Sequence, residues 1–90
     1  MSVKRLAAIP PRCWWVYLLR CSDGTLYAGA TIDLPRRIAA HGRGRVKYTR
    51  GRRPVALAWA EEVGEKGAAL SRESRIKRLS KAQKEALLPT

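Results

Sequence analysis

The stretch Cys13-Trp-Trp-Val-Tyr-Leu-Leu-Arg20 is short and rich in β-formers, and it meets Ser22-Asp23-Gly24 before apolar residues resume at Leu26. Such a run, a turn and a second apolar run predict a β-hairpin. Its register decides which side chains share a face, because a slip of one residue moves every side chain to the other side. A two-residue turn at Asp23-Gly24 would pair Ser22 with Thr25 and put Tyr17 and Tyr27 on opposite faces. A three-residue turn over Ser22-Asp23-Gly24, with Gly24 left-handed, pairs Cys21 with Thr25 instead. Tyr17 then stands opposite Gly29, with Tyr27 beside it on the same face. The second register is the preferred one.

Local signals place the remaining elements. Asp33 is a good N-cap and Pro35 is tolerated in a first turn, so a helix is expected over 33–42, ending at Gly42. Residues 43–54 read as a basic loop and 55–63 as a third strand with Glu61 and Glu62 near its end. Helical periodicity runs from Ala68 to about Leu79. Ser80 with Gln83 then makes a capping box that opens a short last helix before Pro89. The expected fold is α+β, a small three-stranded antiparallel sheet flanked by helices in the order β-β-α-β-α-α. Ninety residues suffice for one core, so residues 12–90 are read as a single domain behind a flexible arm over 1–11.

Charge narrows the partners. Nineteen Lys and Arg stand against seven Asp and Glu, a formal net charge of +12. Polyanions are the natural ligands of such a chain, because each phosphate neutralised releases condensed counterions. No apolar run approaches the ~18 residues of a membrane span, and no basic amphipathic helix has the apolar face that a membrane surface requires. The N-terminus lacks the hydrophobic stretch of a secretory signal. Cys13 and Cys21 are too few for a disulfide framework or a four-ligand zinc site, which suits a reducing cytoplasm.

The loop from Arg43 to Arg53 combines cations for phosphates with Tyr48, a ring able to stack on a base, and Gly42, Gly44 and Gly51 make it flexible. Its expected nucleic-acid contacts are Arg43, Arg45, Lys47, Tyr48, Arg50, Arg52 and Arg53, joined by Lys77 from the later helix. On the first helix Leu34, Arg37, Ile38 and His41 share one arc, so Arg37 and His41 point toward the sheet while Arg36 points away, the Arg37 head meeting a carboxylate or an anion there or lying along the rim in water. On the later helix Glu73 lies in the arc of Ala69, Leu70 and Ile76. A carboxylate there calls for a cation, either a metal ion or an inward arginine such as Arg37. One histidine excludes mechanisms that need two imidazoles, and seven scattered acids disfavour a two-metal carboxylate cluster. Any nuclease chemistry would have to use one metal, an arginine and tyrosines.

From about Trp14 to Leu88 the chain resembles the GIY-YIG nucleases. The two half-motifs stand as Trp15-Val16-Tyr17 and Tyr27-Ala28-Gly29, followed by Ala30-Thr31, Asp33-Leu34, Arg37, His41 and Glu73. The Arg-Cys-Ser-Asp-Gly hairpin, the Lys-Tyr-Thr-Arg-Gly-Arg-Arg-Pro loop and Ile76-Lys77-Arg78-Leu79 are similar to the small stand-alone bacterial group of that superfamily. Trp15 and Ala28 depart from the name motif, and the asparagine that many members carry after the last helix has no counterpart.

The resemblance implies a metal-dependent endonuclease hydrolysing phosphodiester bonds, in DNA rather than RNA, with structured or branched DNA in repair or recombination as a target. It implies one Mg²⁺ or Mn²⁺ held by Glu73, Arg37 on the attacked phosphate, Tyr17 or Tyr27 as base with Tyr17 preferred, and His41 orienting a tyrosine or touching phosphate. A partner protein would supply specificity. Two alternatives stay open: a non-catalytic nucleic-acid-binding module on the same scaffold, and an adaptor in which Glu73 and Arg37 form a structural ion pair.

Overall fold

The computed structural model describes residues 13–89, and the arm expected over 1–11 lies outside them. Strand β1 spans Trp14–Arg20 and β2 spans Leu26–Thr31. Between them the chain makes the three-residue turn, with Gly24 at φ +89°. The Cys21 amide donates to the Thr25 carbonyl at 2.9 Å and Gly24 donates to Cys21 at 3.0 Å. Asp23 holds the turn from its side, accepting from the Thr25 amide and hydroxyl at 3.1 and 2.7 Å. The resulting register pairs Tyr17 with Gly29 and Leu19 with Tyr27.

Helix α1 spans Leu34–Gly42, its first turn closed by Asp33 accepting from the Arg36 amide. The segment expected as pure loop contains a further helical turn, α2, at Lys47–Arg50. Strand β3 follows at Ala56–Gly64, then α3 at Lys66–Lys77 and α4 at Lys81–Glu85. The order is therefore β-β-α-α-β-α-α. Ser80 and Gln83 form the expected capping box at the start of α4.

All three strands are antiparallel, in the order β2-β1-β3. The central place goes to the most apolar strand, whose Val16, Leu18 and Leu19 are fully buried, because a central strand is covered on both faces. Side chains alternate along β1. Val16 and Leu18 join Leu26, Ala28, Ala69 and Ile76 in the core beneath α3. Tyr17 and Leu19 face the other way, where Tyr17 meets His41 of α1. The last helix is tied to the hairpin by a two-point Arg20–Glu85 pair at 2.6 and 2.7 Å and by Lys81 donating to the Gly24 carbonyl.

Candidate active site

Tyr17 is the centre of the site. Its ring is 1% exposed and lies across Gly29, where a β-carbon would come within 2.3 Å of the phenol oxygen. Only glycine lets this ring sit against its paired strand. The hydroxyl is 3.1 Å from Nε2 of His41, and Nδ1 of His41 is 2.7 Å from the hydroxyl of Thr49. His41 and Thr49 are both completely buried. A three-membered chain of hydrogen bonds thus runs from β1 through α1 to α2.

Helix α2 exists because of these contacts. Four residues with no side-chain cap cannot hold a helical turn by local propensity. The turn is fixed by Thr49 on His41 and by Tyr48, whose ring stacks on Tyr27 with centroids 5.1 Å apart. Tyr27 in turn meets His41 edge-on at 5.2 Å. The Arg52 guanidinium covers the Tyr48 ring at 4.4 Å and pairs with Asp23 at 2.6 Å. Tyr48, expected to offer its ring to a base, is 48% exposed and also braces Tyr27.

Charges from both layers act on Tyr17. Burial pushes its pKa above the ordinary tyrosine value; the nearby Arg37 guanidinium lowers it, while Tyr27 and Glu73 raise it. Burial, with the Arg37 charge added, holds His41 at about 4, so the imidazole is neutral near pH 7. Arg37 itself is exposed, unlike His41 on the same arc. The helical arc gives its direction, and the length of the side chain carries the head out to the solvent rim.

Glu73 lies between buried Ala69 and Ile76, at 19% side-chain exposure, but Leu70 of the same expected arc is 44% exposed. The ion-pair partner of Glu73 among the described residues is Lys77, one turn on at 3.3 Å, rather than Arg37. The two residues meet only through their opposing effects on Tyr17.

Residues 13–86 match the GIY-YIG catalytic domain. The chain belongs to the GIY-YIG family. It is similar to a UPF0213 protein of Halobacterium salinarum, 56% identical over 73 residues that cover 80% of this chain and 95% of that protein. A UPF0213 protein of Vibrio cholerae is 49% identical over 88 residues, 96% of this chain and 86% of that one. The solution NMR structure of a UPF0213 protein from Bacillus halodurans shares the fold at a TM-score of 0.54 and 43% identity, covering 82% and 80% of the two chains. The chain is thus a small GIY-YIG protein of the UPF0213 group, built on a nuclease fold. Its departures from the GIY-YIG tripeptides fall at packing positions: Ala28 is core and Trp15 is half-buried.

Among the described residues no three His, Cys, Asp or Glu groups come together to cage a metal. A magnesium-like ion does not need a cage, since one carboxylate, waters and substrate phosphate can complete its octahedron. The partly exposed Glu73 carboxylate fits that role.

Of the expected nucleic-acid residues, Arg52 and Arg53 also hold the loop together. Arg52 donates to the Tyr48 carbonyl, and Arg53 donates to the carbonyls of Arg50 and Gly42. Arg43, Arg45, Lys47 and Arg50 are exposed around them. The sequence reading missed a basic residue beside the tyrosines. A depression of about 300 Å³ is lined by Tyr27, Tyr48, Lys77 and Lys84 over a floor of Leu26 and Ala28. Lys84 sits on α4, 36 positions beyond Tyr48, and no local signal connects them. Thr49 was also missed, as a β-branched residue inside a basic run with nothing to mark it as buried.

Proposed function

We propose that this protein is a divalent-metal-dependent endonuclease that hydrolyses phosphodiester bonds in DNA, with structured or branched DNA as its target. The observation that carries the reading is the convergence on one tyrosine: His41 hydrogen-bonded to Tyr17, with Arg37 and Glu73 both acting on its charge. In-line hydrolysis requires a base for water and positive charge on the phosphate. Tyr17 serves as the base, with the neutral His41 imidazole hydrogen-bonded directly behind its hydroxyl. The exposed Arg37 fork takes two oxygens of the attacked phosphate. Glu73 holds one Mg²⁺ or Mn²⁺, which supplies charge stabilisation at the phosphate and leaving oxygen. The basic residues of 43–53 with Lys77 and Lys84 hold the flanking phosphates, and a partner protein supplies target specificity.

The test is incubation of the protein with plasmid, branched DNA and RNA in Mg²⁺ or Mn²⁺, beside Glu73→Gln. The expected result is metal-dependent cutting of DNA by the wild type alone. Equal rates for wild type and Glu73→Gln on every substrate would remove the nuclease reading and leave a binding module.

A further inference from the structure

We infer that the groove between Tyr48 and Lys84 is a binding site for one unpaired nucleotide of the nucleic acid, seated beside the bond that is cut. The inference deepens the proposed function: it rests on a nucleic-acid ligand and not on cutting. The depression of about 300 Å³ over Leu26 and Ala28 adjoins a second, of about 150 Å³, that continues to Thr25 and Lys81. The two share Leu26, Tyr48 and Lys84, so they form one groove along β2, an edge strand of the sheet.

Three features select the occupant. The floor is apolar, since Leu26 and Ala28 are core residues. Three lysines line the groove and no carboxylate does. Lys77 and Lys81 pair with Glu73 and Glu85, but Lys84, though half-buried, has no ion-pair partner among the described residues. A partly buried ammonium calls for an anion. Tyrosines form the remaining wall. Tyr48 stacks on Tyr27 and carries the Arg52 guanidinium over its ring, so a ligand meets the rim of that ring rather than an open face.

A flat, largely apolar group with a phosphate attached satisfies floor, wall and cation together. An unpaired nucleotide is such a group. A volume of about 300 Å³ stands at the lower end of small-ligand pockets, which suits a single nucleotide. Bases paired and stacked within a duplex would offer the groove only their edges and phosphates. The larger depression between β3 and α3, about 530 Å³, has Glu61 and Glu62 in its wall, and carboxylates repel phosphate. Position supports the same choice. The groove begins at Lys77, one turn of α3 beyond Glu73, and at Tyr27, which meets His41 edge-on. A strand whose reacting phosphate lies at Glu73 and Arg37 therefore has a neighbouring nucleotide at the mouth of the groove.

Binding in EDTA, without a divalent ion, tests the groove apart from cutting. The probes are a blunt DNA duplex, a duplex with a short single-stranded overhang and the same number of phosphates, that overhang with abasic residues, and dTMP alone. By fluorescence anisotropy the wild type should bind the base-bearing overhang about tenfold tighter than the blunt or the abasic probe, the lower end of what one seated base contributes. In methyl NMR the Leu26 and Ala28 signals should shift with the base-bearing overhang and stay in place with the abasic one. Lys84→Met keeps the stem and removes the charge, and it should weaken the overhang more than the blunt duplex. Arg75→Gln removes a charge from the depression beside β3 and should weaken both alike.

Equal affinity for base-bearing and abasic overhangs overturns the inference, as do floor methyls that the overhang leaves unmoved. If dTMP moves those methyls and the overhang binds no tighter than dTMP, the groove belongs to a free mononucleotide and the inference fails. A wild type that prefers the overhang yet cuts nothing in Mg²⁺ or Mn²⁺ upholds the groove and removes the nuclease reading. One that cuts but binds both overhangs equally removes the groove and leaves the nuclease.

Discussion

The Tyr17 ring occupies the space that a side chain at Gly29 would fill, its oxygen 2.3 Å and its ring carbon 2.4 Å from where a β-carbon would stand. The two residues are paired across the central ladder, so neither can move away without breaking the sheet. Gly29→Ala should therefore force Tyr17 off His41. Overpacking of a closed core costs about 1–3 kcal/mol, which for a domain of this size lowers Tm by roughly 5–20 °C. Thermal unfolding checks the loss, and cleavage should vanish even below the lowered Tm.

His41 gives the fold a pH dependence. Its folded pKa is held at about 4, below the ordinary 6.5, so the unfolded chain binds the proton more readily. Its contribution is fully present above about pH 6.5 and is lost as pH falls toward 4. The loss is on the order of 3 kcal/mol. Tm measured from pH 7 to 4 should fall accordingly, and His41→Asn should flatten that window. Asp23 and Glu85, each held at about 2 by hydrogen bonds from Thr25 and Arg20 respectively, lose their contributions only as pH falls further.

Glu73 separates chemistry from stability. Its partner Lys77 is 53% exposed, and a solvent-screened pair of this kind contributes about 0–1 kcal/mol. Glu73→Gln should shift the denaturant midpoint little while cleavage falls by on the order of 10²-fold or more. A structural ion pair between Glu73 and Arg37 would give the opposite pattern, a large loss of stability.

The basic surface divides into residues that bind only and residues that also brace. Lys84→Gln should weaken DNA binding and reduce the slope of log K against log salt by about 1, with Tm unchanged. Arg52→Gln removes the bonds to Asp23 and the Tyr48 carbonyl and the cover on the Tyr48 ring. It should lower Tm as well as affinity, which titration at several salt concentrations beside thermal unfolding will distinguish.

The hairpin, the first helix start and the last helix start were legible in the sequence because each is decided by neighbours. Gly24 and Asp23 set the turn, Asp33 caps the first helix and Ser80 with Gln83 caps the last. The hairpin register then placed Tyr17 on Gly29, since strand periodicity leaves no freedom once the turn length is known. Helical periodicity was less decisive. It put Leu70 in the buried arc of α3, yet Leu70 is exposed, and it aimed Arg37 inward on α1 without deciding whether the head reaches solvent, as it does. A wheel gives an angle, while depth depends on how far the sheet extends beneath the helix.

What the chain determined by itself was therefore the two tyrosines, the glycine beneath one of them, and the basic character of the 43–53 segment. Tertiary structure alone decided that this segment folds a turn inward, burying Thr49 against His41 and laying Tyr48 on Tyr27. It also brought Lys84 to the same depression as Lys77. The physical reason is that the turn at 47–50 has no local cap and no propensity to exist alone. Its free energy comes from partners supplied by other elements: Tyr27 lies on a distant strand, and whether His41, eight residues before Thr49, faces it is decided by the path of the chain between them rather than by local propensity.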